Sequence, residues 1–229
     1  MNKSLHDHSL VQPSTQGIME EGEFRLHNLW PIPVYENKLN PFNQQWLDYA
    51  INSANYERMH SDNGDITINR YILDVPEFAD LKKHVQHHCD ILMKKYFGTK
   101  TNAEFYLQNS WINRHNKDDW GQIHNHQNSL LSGCLYLGVN NKTGGIRFYK
   151  GSHWINMLPI SVSLEYEKLN HVNSAFYTIT PEQGSIVIFP AHLEHCVERN
   201  ESDEARYSLA FNFYVRGHLG REEYELNLR

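Results

Sequence analysis

Residues 103–115, AEFYLQNSWINRH, mark the point at which this chain changes its period. Side chains on an extended backbone alternate between two faces. Here Phe105, Leu107, Asn109, Trp111, Asn113 and His115 alternate with Tyr106, Gln108, Ser110, Ile112 and Arg114, which predicts a long strand. Further short strands are expected downstream in SLLSGCLYLGV (129–139), GGIRFYKG (144–151), SAFYTIT (174–180), GSIVIFP (184–190) and ARYSLAFNFYVRG (205–217). Gly, Asn, Pro and charged residues punctuate them as turns.

Upstream of Gly98 the period is helical. Phe42, Trp46, Tyr49 and Ala50 form one stripe between Pro41 and Asn55. Phe78, Leu81, Val85, Cys89, Leu92 and Tyr96 form a stronger one between Pro76 and Phe97, closed by Gly98. Before them, LWPIPVYENKL (29–39) reads as a strand confined to a sheet edge by Pro31 and Pro33. Residues 1–22 are polar and aperiodic and are expected to be a flexible tail, leaving 23–229 as a single domain. The closing HLGREEYELNLR (218–229) is charged and expected to be peripheral. Helices followed by a run of short strands predict a mainly β barrel or sandwich with helices packed outside one sheet.

A chain of 229 residues can bury one sizeable core. Its 13 Tyr, 10 Phe and 5 Trp favour strands, where flat side chains pack on a pleated surface. The net charge of −6 and the lack of a basic run give no electrostatic footprint for nucleic acid. Cys89, Cys134 and Cys196 are odd in number and widely spaced, which suggests neither a disulfide framework nor a zinc ribbon. Cys134 and Cys196 read as buried fillers, and a reducing cytoplasm is the simple expectation. The first residues lack an apolar signal region and no apolar run reaches bilayer length, so a soluble protein without membrane association is expected. The oligomeric state stays open, a homodimer included.

Fifteen histidines are an unusual number, and position must decide which of them bind metal. In GQIHNHQNSLLSGCLYL (121–137), His124 and His126 lie two apart, so an extended backbone turns both to one face. In PEQGSIVIFPAHLEHCVERN (181–200) a buried apolar strand ends at Pro190, and His195 follows in the turn, with His192 as a rival. A histidine past the end of a distant β-segment is where a barrel supplies a third ligand. In ARYSLAFNFYVR, Arg206, Ser208, Ala210 and Asn212 share one face, while Tyr207, Leu209, Phe211 and Phe213 share the other. An arginine opening so apolar a strand either reaches for solvent or binds an anion inside the barrel. A guanidinium is a planar fork matched to a carboxylate. Ser208 adds a donor, and Tyr136 and Ser132, on one face of the strand after the histidine pair, are within reach of the same ligand. The unexceptional readings are loop histidines on the surface and a packing role for Tyr136.

The order of these elements (H-x-H, a distal His, then Arg-x-Ser on the last strand) resembles the Fe(II)/2-oxoglutarate-dependent oxygenases. The closer resemblance is to an oxygenase family of bacteria and phages, carried by LWPIPVY, SWINRHNKDDWGQIHNHQNSLLSGCLYL, GGIRFY, GSIVIFPAHLEHCVERN and RYSLAFNFY, over about residues 29–216. It implies a double-stranded β-helix, the jelly-roll or cupin-like barrel, with the N-terminal helices on one sheet. It implies His124, His126 and His195 as catalytic Fe(II) ligands, and Arg206 with Ser208 as the clamp for the far carboxylate of 2-oxoglutarate. Tyr136, Ser132 and Asn113 join the cosubstrate pocket; Trp111 belongs to the same motif. The implied activity is a dioxygenase that consumes O2 and 2-oxoglutarate, releases succinate and CO2, and hydroxylates a substrate.

One position departs from the wider superfamily: His126 stands where a carboxylate is expected. Three neutral histidines leave the complex of Fe(II) and dianionic 2-oxoglutarate neutral rather than anionic, so the cosubstrate should be held at least as well. Asp118, Asp119 and Glu194 are alternative carboxylates, none at the right spacing. Because histidine binds metal only when neutral, affinity is expected to fall below about pH 6. Two other readings compete. Gly184 to His195 fits the second cupin motif, which points to a metalloprotein without 2-oxoglutarate, although the glutamate expected soon after H-x-H is absent. A non-enzymatic jelly-roll binding protein is the third. The face carrying Asn109, Trp111, Asn113 and His115 is a candidate pocket wall, with His153 and Trp154 on a loop near its mouth.

Overall fold

The longest ladder joins β4 (Ala103–His115) to β11 (Arg206–Leu219), antiparallel from Arg206 opposite His115 to Gly217 opposite Ala103. The structure, a computed structural model, describes residues 31–59, 63–99, 103–150, 165–170, 173–220 and 222–228, with Val34–Arg229 as one unit. The 1–22 segment and His153 and Trp154 lie outside the described residues.

Strands β5 (Gly121–His124), β6 (Leu131–Gly138), β7 (Ile146–Tyr149), β8 (Phe176–Ile179), β9 (Ser185–Pro190) and β10 (His195–Val197) follow β4 in order. They pair as a nested ribbon: β4 with β11, β5 with β10, β6 with β9, and β7 with β8, all antiparallel. The ribbon is rolled so that β9-β6-β11-β4 run side by side in one sheet and β5-β10-β7-β8 in the other. This is the double-stranded β-helix. Strand β1 (Tyr35–Lys38) extends the larger sheet beside β9, at an edge where Pro31 and Pro33 precede it. The hairpin of β2 (Tyr56–Arg58) and β3 (Asp65–Thr67) extends the other end beside β4, and β12 (Leu226–Leu228) pairs with the end of β11.

Two cores follow from alternation. Ile186, Ile188, Leu135, Leu137, Leu209, Phe211 and Phe213 project from the outer face of the larger sheet into the helices. Helix α1 (Gln44–Asn52, capped by the Asn43 side chain) contributes Trp46 and Ala50; helix α2 (Ala79–Asp90) contributes Leu81, Val85 and Cys89. The inner faces of the two sheets meet in a second core of Cys134, Tyr136, Val187 and Phe189 against Ile146, Phe148 and Ile179.

Two expectations change. The alternation along 103–115 is interrupted: Asn212 pairs with Asn109, but Phe213 pairs with Leu107, so Gln108 is an extra residue in a β-bulge. A bulge reverses the faces. Phe105 and Leu107 therefore join Ile112 in the helical core, and only Asn109, Trp111, Asn113 and His115 remain on the inner side. Likewise, α2 passes into a π-turn at Ile91–Tyr96, whose wider winding moves the stripe by one position. Met93 is buried in place of Tyr96, which is exposed, and Gly98 ends the turn at φ +63°.

Candidate metal and cosubstrate site

Ladder pairing brings the histidines together. His124 ends β5 and His195 begins β10, and the two are direct cross-strand partners. His126 lies just beyond β5, where its N–H donates to the Ala191 carbonyl at 2.9 Å, pinning this loop to the turn that leads into β10. The three rings stand 4.4–5.2 Å apart between centroids, and one ring nitrogen of each lies within 4.8 Å of the others. That is a spacing one first-row ion can close. Among the described residues this is the one group of three His, Cys, Asp or Glu side chains so arranged.

Backbone carbonyls settle the tautomers. The Nδ1–H of His124 donates to the Gln122 carbonyl at 2.8 Å and that of His195 to the Leu193 carbonyl at 2.9 Å. A carbonyl can only accept, so in the neutral ring Nε2 is left with its lone pair outward, as a metal ligand requires. His195 is buried, with Phe189 4.7 Å and Phe148 6.1 Å away between ring centroids, and Trp111 lies 6.1 Å from His126. Burial, then the neighbouring His124, pushes His195 down to about 3 and His126 to about 4. Both are therefore neutral and ready to bind at pH 7.

The carboxylates considered as substitutes are committed elsewhere. Asp118 is paired with Arg199, Asp119 takes a two-pronged bond from Arg58, and Glu194 is exposed. His192 is exposed as well. The donor set offered to a metal is three imidazoles.

On the inner face of the larger sheet lies Arg206, 1 % exposed. Among the described residues it has no acidic partner; Nη1 makes one long contact to the Gly145 carbonyl at 3.5 Å, and Nε has none. Its guanidinium stands 5.2 Å from the Tyr136 ring, whose buried hydroxyl also lacks a hydrogen-bond partner. Ser208, buried, is the cross-strand partner of both Tyr136 and Asn113. A buried cation flanked by unpaired donors is costly unless an anion sits there. The residues present thus fit a carboxylate.

The remaining expected pocket residues, Ser132 and Asn113, also lie on this face. Ser132 lies four residues from Tyr136 along β6, about 13 Å; its hydroxyl donates to Asn212 Oδ1 at 2.7 Å, and Asn212 Nδ2 donates to Asn109. Asn113 accepts from the Trp111 indole N–H at 3.1 Å and so holds that ring. Sequence reasoning overlooked Phe148 and Phe189 as the walls beside His195; alternation along SIVIFP, with Val187 and Phe189 on one side, was the signal that could have found Phe189. A broad groove of about 930 Å³ lies on the outer face of the smaller sheet, lined by Arg147, Tyr149, Cys196 and Glu198. Alternation turns these residues away from the histidines, so the groove is not part of this site.

Residues 109–212, which hold all three histidines, Arg206 and Ser208, match the family model described as "Putative 2OG-Fe(II) oxygenase". Over these residues the chain is similar to the 2OG-Fe(II) oxygenases. No curated protein matches the chain. Solved structures similar to this chain include the non-heme alpha ketoglutarate dependent epimerase SnoN from nogalamycin biosynthesis (14% identity, 81% of this chain and 79% of that one, TM-score 0.58). A Pseudomonas putida prolyl-4-hydroxylase is similar at 13% identity, over 81% and 94% of the two chains, with a TM-score of 0.52. HygX from Streptomyces hygroscopicus, with nickel and 2-oxoglutarate bound, is similar at 12% identity, over 80% and 82%, with a TM-score of 0.53. At these identities the likeness is one of fold.

Proposed function

We propose that this oxygenase holds Fe(II) through Nε2 of His124, His126 and His195, and 2-oxoglutarate with its far carboxylate on Arg206. The observation that carries the reading is the buried Arg206 guanidinium, without an acidic partner among the described residues, on the inner face of the larger sheet, while three imidazoles converge at the smaller one. When bound, iron and 2-oxoglutarate supply the oxidising chemistry: O2 is consumed, succinate and CO2 leave, and the substrate is hydroxylated.

The protein's own part is positioning. The carbonyls of Gln122 and Leu193 hold two imidazoles in the ligand tautomer. Arg206 donates a charge-assisted pair of hydrogen bonds to the carboxylate, and Ser208 and the Tyr136 hydroxyl donate beside it. Phe148 and Phe189 line the metal end with apolar surface, which keeps bulk water off His195. Trp111, fixed by Asn113, stands against His126. Two of the three free thiols, Cys89 and Cys134, are buried, which supports a cytoplasmic setting.

Anaerobic addition of 2-oxoglutarate to the Fe(II)-loaded protein tests this. A weak visible metal-to-ligand charge-transfer band is the expected outcome. The all-histidine donor set favours one other reading, a cupin-type metalloprotein that does not use 2-oxoglutarate. Iron-replete protein that shows no band would move the assignment there.

A further inference from the structure

His115 has no role in the site as described, yet it is 1 % exposed and neither ring nitrogen has a hydrogen-bond partner among the described residues. The acidic groups nearest in the fold do not serve it. Asp65 is taken by Arg58, Arg114 and Asn116, and Asp119 by Arg58 and the Asn116 N–H. The residue directly opposite His115 across the β4–β11 ladder is Arg206. Direct partners in an antiparallel pair hold their Cβ atoms about 4.5–5.5 Å apart, on one face. Three buried side chains with unpaired polar atoms (His115, Arg206 and Tyr136) thus gather at one end of the inner face. Strand pairing through Ser208 connects them.

We infer that His115 is a cosubstrate-binding residue, donating its ring N–H to the carboxylate held by Arg206. This rests on the 2-oxoglutarate reading above. A carboxylate can accept from the guanidinium, the phenol and one imidazole N–H at once, giving each of the three side chains a partner. Gly64 selects the donor atom. A Cβ at Gly64 would stand 2.8 Å from His115 Nε2 and 2.9 Å from Cδ2, so backbone covers that edge of the ring. Nδ1–H is the donor left for a ligand. The same contact holds the ring in place, and it explains why residue 64 carries no side chain.

Titration of the Zn(II)-loaded protein with 2-oxoglutarate, read by calorimetry, tests this against two substitutions. His115→Leu removes the donor and keeps apolar bulk; His115→Asn keeps an N–H at the place of Nδ1. Loss of one charge-assisted hydrogen bond weakens 2-oxoglutarate binding about ten-fold or more in His115→Leu, and His115→Asn restores most of it. Zn(II) affinity should be equal in all three proteins. Should His115→Leu fail to fold, the imidazole ¹⁵N resonances of wild-type protein decide: His115 must shift when 2-oxoglutarate is added. Unchanged binding in His115→Leu, or an unmoved His115 resonance, overturns the inference while Arg206→Ala still weakens binding. No binding by wild type overturns this inference and the cosubstrate reading together.

Discussion

His124 and His195 are paired residues of one antiparallel ladder, with ring centroids 4.4 Å apart. Strand pairing, and not a flexible loop, sets their separation, and each ring is turned by a hydrogen bond from Nδ1 to a carbonyl two residues before it. The cluster of imidazoles is therefore preorganised. His126 completes it through a backbone bond to Ala191, the turn that carries the chain toward His195.

Removing one of these ligands should abolish tight metal binding without unfolding the protein. His195→Ala is expected to lower Fe(II) or Mn(II) affinity by more than the roughly 10–100-fold that outer-shell changes cost. Metal content after dialysis measures this, and circular dichroism checks the fold. Stoichiometric metal in His195→Ala would place the centre elsewhere.

His126→Asp tests what a neutral ligand set does. With three imidazoles the protein gives no negative charge to the metal, so the dianionic cosubstrate must supply it. Metal and 2-oxoglutarate should then strengthen each other's binding strongly, and by the same factor. In His126→Asp the metal should bind more tightly alone and the coupling should shrink. Calorimetric metal titrations with and without 2-oxoglutarate give both factors.

Arg206→Ala should weaken 2-oxoglutarate about 10–100-fold, corresponding to a charge-assisted hydrogen bond of roughly 1.5–3 kcal/mol. Its affinity for the metal alone should not change. Arg206→Lys should recover only part, since an ammonium cannot reproduce the two-pronged geometry. Equal weakening of metal binding in Arg206→Ala would mean a general structural effect.

Acid should destabilise the metal-free protein. His115 is held down to about 3 by burial and by Arg206, and His195 and His126 are lowered to about 3 and 4. The unfolded chain takes up these protons near pH 6.5, whereas the folded one does not until the depressed values are reached. Their contribution is thus fully present above about pH 6.5 and is lost as pH falls through the window below it. For His115 alone the loss is about 1.4 kcal/mol per pH unit. Denaturant midpoints at pH 7, 6 and 5 should fall, and the fall should be shallower in His115→Asn. The same depression moves protonation of His126 and His195 below the pH 6 expected from ordinary histidines, so these two ligands remain available at pH 5.

Much of this was legible locally. The period of two in ARYSLAFNFYVR correctly separated Leu209, Phe211 and Phe213, which reach the helical core, from Arg206, Ser208 and Asn212. The helical stripes of Trp46 and Leu81 marked the outer layer, whereas His126 lies beyond the end of β5 and reaches His124 through the loop that follows. The bulge at Gln108 and the π-turn at Ile91–Tyr96 were not legible, because an extra residue in a strand or helix leaves composition unchanged and is decided by what packs against it.

The sequence by itself determined which residues alternate along an uninterrupted strand and which side chains can bind a metal or a carboxylate, since these follow from local geometry and residue chemistry. Only the tertiary structure decided that His195 pairs with His124, that Arg206 stands opposite His115, and that, among the described residues, Arg206 has no acidic partner and the His115 ring no hydrogen-bond partner. Pairing and desolvation depend on segments distant in the chain, and no local period records which strand will lie beside which.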